Sequence, residues 1–218
     1  MDWRHLSANF AEIYSRIAQA AEAVDRDPAS VTLIAVSKTF PVDAIRAAYD
    51  LGHRHFGESR LQEALPKIEA LPEDIVWHFI GKLQSNKAKR VAQLFDVIHT
   101  IESEAQLKEI AKAGRRVDAL IEVNVANEAQ KSGIFPVALD LLHAKLLDFP
   151  QASFRGLMTI GPATDNPEEM RPIFRKLREE NARLGGQWLS MGMSGDFEVA
   201  IQEGASHVRI GTALFGAR

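Results

Sequence analysis

A rhythm repeated eight times constrains this chain more than any other feature. Short β-branched or aromatic runs alternate with amphipathic stretches along nearly its whole length. Strands are predicted near 31–38, 53–58, 76–81, 97–101, 119–125, 154–160, 189–193 and 208–214. Helical periodicity falls near 42–51, 60–71, 83–94, 104–113, 136–147, 168–184 and 197–203. Strands separated by helices make a parallel sheet, because parallel neighbours need crossovers. Their apolar composition suits a sheet covered on both faces. Eight such units point to a closed (β/α)8 TIM-type barrel of class α/β, with a doubly wound open sheet as the alternative. One further helix precedes them: residues 8–24 space Phe10, Ile13, Tyr14, Ile17, Ala20, Ala21 and Val24 at helical intervals, and Asp27-Pro28 stops it. An extra N-terminal helix of this kind is expected to cover the barrel bottom. No linker, low-complexity segment or second domain is visible, so residues 1–218 are expected to form one domain.

Composition narrows the chemistry. The 218 residues contain no cysteine, which excludes disulfides, Cys-ligated metals and thiol nucleophiles. The formal net charge of -3 gives no global pull toward nucleic acid or anionic membrane. Residues 1–25 carry charges at short intervals without an apolar signal core, and no apolar run approaches the ~20 residues that span a bilayer. A cytoplasmic protein is expected.

Barrel active sites lie at the C-terminal ends of the strands. Strand 1 ends in Ser37-Lys38, strand 2 in Gly57-Glu58-Ser59-Arg60, strand 6 in Met158-Thr159, and strand 7 in Met193-Ser194-Gly195-Asp196. Lys38 follows the mostly apolar run 31–36 and shares a face with Ile34 and Val36. Partial desolvation there lowers a lysine's pKa and makes its amine nucleophilic. Taken alone, it reads equally as a solvated loop lysine before Pro41. Ser194 and Gly195 before a helix, with Gly211 and Thr212 on strand 8, suggest a phosphate cradle of hydroxyls and helix-start N–H groups. Simple helix capping is the competing reading. Arg209 points inward two residues before Gly211 and needs an acceptor, either a cofactor or a carboxylate such as Glu122.

Other signals are weaker. His53 and His55 are spaced to share a strand face, but lack further ligands for a metal and read as core or bottom-face residues. His78 is placed to line the barrel. Lys82, Lys87, Lys89 and Arg90 read as a solvated helix face rather than a nucleic-acid contact.

The chain resembles the YggS/PROSC-like family of pyridoxal phosphate homeostasis proteins. The resemblance rests on Ala35-Val-Ser-Lys-Thr39, His55-Phe-Gly-Glu58, Trp77-His-Phe-Ile-Gly81 with Leu83-Gln-Ser-Asn-Lys87, Lys131-Ser-Gly133, Arg155-Gly-Leu-Met-Thr-Ile160, Leu189-Ser-Met-Gly-Met-Ser194 with Asp196, and Val208-Arg-Ile-Gly-Thr212 with Phe215-Gly216. It implies a barrel of the alanine racemase N-domain type, pyridoxal 5'-phosphate held as a Schiff base on Lys38, and a phosphate cradle of Ser194, Gly211 and Thr212 with Arg209 nearby. Ser59, His78 and Met158 complete the candidate cofactor-binding set. The family usually reads Gly-Glu-Asn-Tyr where this chain has Gly57-Glu58-Ser59-Arg60, so the contact of the Asn amide is lost at Ser59.

The expected role is vitamin B6 homeostasis, not catalysis: a carrier of pyridoxal phosphate with PLP-dependent apoenzymes as recipients, no membrane and no nucleic acid. The rival enzymes are an amino-acid racemase and a cofactor-less Schiff-base aldolase. Racemisation needs acid/base groups on both faces of the substrate carbon. Alanine racemases take a tyrosine from a further C-terminal domain, whereas Tyr14 and Tyr49 here are predicted on helices away from the strand ends.

Overall fold

In the computed structural model, which describes residues 3–216, strands of three to seven residues suffice because each carries a dense apolar run. They are β1 (Thr32–Val36), β2 (His55–Glu58), β3 (Val76–Phe79), β4 (Val97–Ile101), β5 (Val117–Glu122), β6 (Ala152–Met158), β7 (Trp188–Ser190) and β8 (His207–Ile210). All neighbours pair in parallel, and β8 closes on β1 through Thr32↔His207, Leu33↔Val208, Ile34↔Arg209 and Ala35↔Ile210. The result is the closed barrel, not the open sheet.

Period-2 alternation then sorts side chains between two layers. Leu33, Ala35, Phe56, Trp77, Phe79, Ile98, Ile121, Leu157, Leu189 and Ile210 join the large core between sheet and helices. Burying each of the large ones is worth about 1.5–3 kcal/mol. Val97, Leu120 and Met158 form a smaller apolar cluster of their own, with Val76 and Trp188 packed against it. The outer ring comprises α1 (His5–Glu22), α2 (Val42–Asp50), α3 (Leu61–Ala70), α4 (Ser85–Leu94), α5 (Glu104–Ile110), α6 (Leu139–Leu147), α7 (Arg171–Arg183), α8 (Phe197–Gln202) and α9 (Thr212–Phe215). Among the described residues no helix is long and apolar enough to cross a membrane.

The structure corrects two expectations. α1 does not cover the bottom: its apolar stripe (Leu6, Phe10, Ile13, Ile17, Ala20, Ala21) packs beside α8, α9 and α2. Asn9 Nδ2 donates to Leu214 O at 2.7 Å, and Arg16 pairs with Glu198. The reason is geometric. The helix after β8 is a single turn, which leaves a gap in the ring that an 18-residue amphipathic helix fills. The second correction is β8 itself, which ends at Ile210 rather than continuing to Leu214. Gly211 adopts a helical-side conformation (φ -117, ψ -74), and α9 starts at Thr212.

Candidate functional site

β7, β8 and β1 are consecutive staves of the closed barrel, so their C-terminal ends meet along one arc of the rim. β1 runs out into a tight turn in which Phe40 N donates to Ser37 O at 3.1 Å. Lys38 and Thr39 form the corner of that turn. Thr39 has φ 71, a left-handed conformation that is an outlier for a β-branched residue. Such strain costs on the order of 1–3 kcal/mol and persists only where surrounding structure imposes it. Beside the turn the Glu63 carboxyl is held below its ordinary range, by Arg60 first and with the Thr39 backbone N–H among the lesser causes.

A second lysine, which sequence reading missed, fixes the residue before Lys38. Lys67 of α3 donates to Ser37 O at 2.9 Å and to Glu58 Oε1 at 2.7 Å. Ser37 Oγ donates to the same Glu58 oxygen at 2.7 Å. Burial pushes the Glu58 carboxyl above its usual range, against the pull of Lys67 and Ser37. The signal lay in the helix pattern: Lys67 stands three residues after buried Ala64 and four before buried Leu71, on the apolar face. Its counter-charge Glu58 is fully buried.

Next along the arc, Gly211 lies against β1. A Cβ on Gly211 would sit 3.3 Å from Val36 Cβ and 3.4 Å from Val36 O, two residues before Lys38. Thr212, exposed, opens α9, where first-turn N–H groups have no intrahelical acceptor. The β7 loop follows. Asp196 folds back so that its Oδ1 accepts Met193 N at 2.6 Å. That is a loop-closing bond rather than an N-cap, since the Asp196 side chain caps nothing in α8. Ser194 is half-buried, and a Cβ on Gly195 would meet no atom within 4 Å, so the backbone there is open to approach.

Arg209 projects inward and is only 4% exposed. Its Nη1 donates to Ser190 Oγ at 2.7 Å and its Nη2 to Thr159 O at 2.9 Å. The ion pair with Glu122 considered from sequence is therefore not made. Glu122 instead lies beside Glu102, and burial together with that neighbouring carboxylate raises its pKa far above the ordinary range. Burial pushes the Arg209 guanidinium down to about 10, against the pull of Glu122 and Asp196. It stays charged at neutral pH.

The remaining candidates are dispersed. Ser59 lines a 340 Å³ cavity at the rim between the β2–α3 and β3–α4 loops, with Arg60, Lys82, Gln84 and Lys87. Met158 packs in the small apolar cluster with Val97 and Leu120. His78 uses both ring nitrogens on neighbouring histidines, His55 and His99, which leaves neither for a ligand. His53 and His55 do not share a face, because the strand starts only at His55. His53 packs outward on Phe10 and Phe56, whereas His55 turns inward to His78. Among the described residues no group of three or more His, Asp or Glu could hold a metal. Both tyrosines lie at the opposite, N-terminal end of the barrel: Tyr14 bonds His53 Nδ1 at 3.2 Å and Tyr49 bonds Asp74 at 2.7 Å.

Comparison with known proteins gives a consistent picture. Residues 8–218 match the family described as alanine racemase, N-terminal domain. The pyridoxal phosphate homeostasis protein of Aquifex aeolicus is 44% identical over 95% of this chain and 96% of its own length. The Escherichia coli K12 protein of the same name is 39% identical over 98% of this chain and 97% of its own. Among solved structures, PipY of Synechococcus elongatus with PLP bound superposes with a TM-score of 0.79 at 38% identity, covering 94% of this chain and all of that one. Alanine racemase from Bacillus anthracis shares the fold at 17% identity, with a TM-score of 0.69 over 94% of this chain and 56% of the racemase.

Proposed function

Because the chain belongs to the pyridoxal phosphate homeostasis protein family, built on the alanine racemase N-terminal domain, we propose that it binds pyridoxal 5'-phosphate and acts in vitamin B6 homeostasis as a carrier. The observation that carries this reading is the arc β7–β8–β1. It joins an amine (Lys38), two hydroxyls beside open backbone (Ser194 and Thr212, with Gly195 and Gly211) and a buried guanidinium (Arg209). That donor set fits an aldehyde, a phosphate and a ring nitrogen.

When bound, the cofactor supplies a reactive aldehyde on an electron-withdrawing ring. The rest belongs to the chain. The Lys38 amine would hold the aldehyde reversibly, with water released on loading and taken up again on release, so both would use the same group. Ser37, locked by Glu58 and Lys67, and the strained turn at Thr39 orient that amine. Ser194, Gly211 and Thr212 hold the phosphate through hydroxyls and helix-start N–H groups. Arg209, which keeps its protons, would meet the ring nitrogen as a donor, and a nitrogen held that way would make the ring a weaker electron sink. Ser59 and Met158 contribute to the walls. His78 reaches Arg209 only through two intermediate residues, His99 and Ser190.

A carrier without turnover suits this arrangement better than a racemase. A racemase needs a second acid/base group opposite the lysine, and Tyr14 and Tyr49 stand at the wrong end of the barrel. Recipients of the cofactor would be PLP-dependent apoenzymes in the cytoplasm, with no role for membrane or nucleic acid. The barrel that would hold the cofactor is one domain spanning residues 1–218, of which two at each end lie outside the described residues.

The test is the visible absorption spectrum with added pyridoxal phosphate, beside Lys38→Ala. Wild type is expected to gain a band that borohydride fixes at Lys38, and the variant to gain none. A band retained in Lys38→Ala removes Lys38 as the anchor. Robust exchange of alanine or serine enantiomers by wild type replaces the carrier with an enzyme.

A further inference from the structure

The bore holds an unbroken hydrogen-bonded column that the cofactor reading does not require. His55 Nδ1 lies 3.0 Å from His78 Nε2, His78 Nδ1 2.9 Å from His99 Nε2, and His99 Nδ1 2.8 Å from Ser190 Oγ. Arg209 Nη1 donates to the same Ser190 oxygen at 2.7 Å. The strand stagger builds the climb. Val76 is level with His55 and His78 stands two residues above it, while Val97 is level with His78 and His99 stands two above that. The column starts at half-buried His55, the first residue of β2, at the N-terminal opening. It ends on Arg209, below the rim arc.

A neutral imidazole has one donor and one acceptor nitrogen. Burial first, and then the neighbouring imidazoles, hold His78 well below its usual pKa; burial, His207 and Arg209 do the same for His99. Neutral imidazoles joined end to end have only two coherent proton arrangements: every N–H points toward Ser190, or every N–H points toward His55. Arg209 breaks the symmetry because a guanidinium only donates. Ser190 Oγ must accept from it. If His99 donated to Ser190 as well, the serine proton would need an acceptor of its own. Among the described residues, the side chains bonded to Ser190 Oγ are His99 and Arg209 alone. An orphaned hydroxyl proton is costly in so dry an interior. The opposite direction gives every hydroxyl and ring nitrogen from Ser190 to His55 Nδ1 a partner and leaves only the half-buried His55 Nε2–H facing outward from the column.

We propose that Arg209 sets the direction of this column. Ser190 O–H donates to His99 Nδ1, His99 Nε2–H to His78 Nδ1, and His78 Nε2–H to His55 Nδ1. Withdrawing the Arg209 donor from Ser190 lets the column reverse. The state of Arg209 at the mouth is thereby transmitted to the tautomer of His55 at the other end of the barrel, with no movement of backbone. The column is a property of the protein by itself, whether or not pyridoxal phosphate is the ligand.

Histidine tautomers are read directly by two-bond 1H–15N correlation on the full-length, 15N-histidine-labelled protein at neutral pH. Wild type is expected to show a single Nε2–H form at His55, His78 and His99. Arg209→Met removes the donor while keeping an unbranched side chain. It is expected to lose that single form and gain Nδ1–H population at all three positions together. An Nδ1–H form or an imidazolium in wild type overturns the proposal, as does an unchanged pattern in Arg209→Met. Should that variant fail to fold, Ser190→Ala cuts the same link with a smaller change. Persistence of the uniform wild-type pattern there also overturns it.

Discussion

In the bore, His78 and His99 each use both ring nitrogens on neighbours, and Ser190 and Arg209 complete the chain. At the rim above them, Ser194 and Thr212 make no side-chain hydrogen bond among the described residues, and Thr212 is exposed. Both regions are polar, yet they differ in how far their donors and acceptors meet within the chain. Mutual satisfaction makes the bore structural: His78 and His99 are buried and engaged through both ring nitrogens. The rim hydroxyls of Ser194 and Thr212 are the donors that the proposed cofactor site draws on. Polarity alone therefore does not mark a site; the balance of donors against internal acceptors does.

The contrast between bore and rim is tested most forcefully just behind the rim. Lys67 behaves like a bore residue, buried and paired with Glu58 at 2.7 Å. Lys67→Met strands that carboxylate, and is expected to cost about 3–5 kcal/mol in urea unfolding. It should also weaken cofactor binding, because Ser37 loses its lock. A loss under 1 kcal/mol would mean that Glu58 readily takes up a proton instead.

His99→Leu leaves His78 Nδ1 and Ser190 each short of a partner. The expected loss is about 2–4 kcal/mol of stability. The visible band with pyridoxal phosphate should persist, which separates bore from rim.

Acid acts on the other buried histidines, one behind the barrel wall and one in the bore. Burial lowers His53 to about 4 and His207 to about 3. A depressed folded pKa means that the unfolded chain takes up the proton first. The stability these groups contribute is thus complete above about 6.5 and is lost as the pH falls toward 4 and 3. On the order of 2–3 kcal/mol per group should disappear between pH 6.5 and 4, measured by urea unfolding at each pH. A flat profile would show that the buried imidazoles are not neutral in the folded state.

Ser194→Ala and Thr212→Ala probe the contrast from the other side. Each should leave stability within about 0.5 kcal/mol. Each should weaken pyridoxal phosphate binding roughly tenfold through one lost charge-assisted hydrogen bond. A stability loss as large as that of His99→Leu would place them in the core rather than at a site.

Much of the fold and of the rim is legible in the chain alone. Residues 38, 194 and 211–212 stand out because apolar runs stop there at amines, hydroxyls or no side chain. Lys67 is not legible, since a lysine on an amphipathic helix reads as solvated until its counter-charge is located. Nor are His99 and Ser190. Their roles depend on which inward residues fall within hydrogen-bond reach, and single strands do not reveal that.

Local sequence settles the alternation of eight strands with helices, the inward direction of Arg209 and the position of Lys38 at a strand end. These follow from periodicity, which needs no partner to be read. Three things arise only when the barrel is assembled. Closing β8 onto β1 brings residue 211 against residue 36. The one-turn length of α9 draws α1 into the outer ring. The stagger between strands turns separate side chains into one column. Each depends on register or closure, and those are set by how the whole barrel packs rather than by any segment alone.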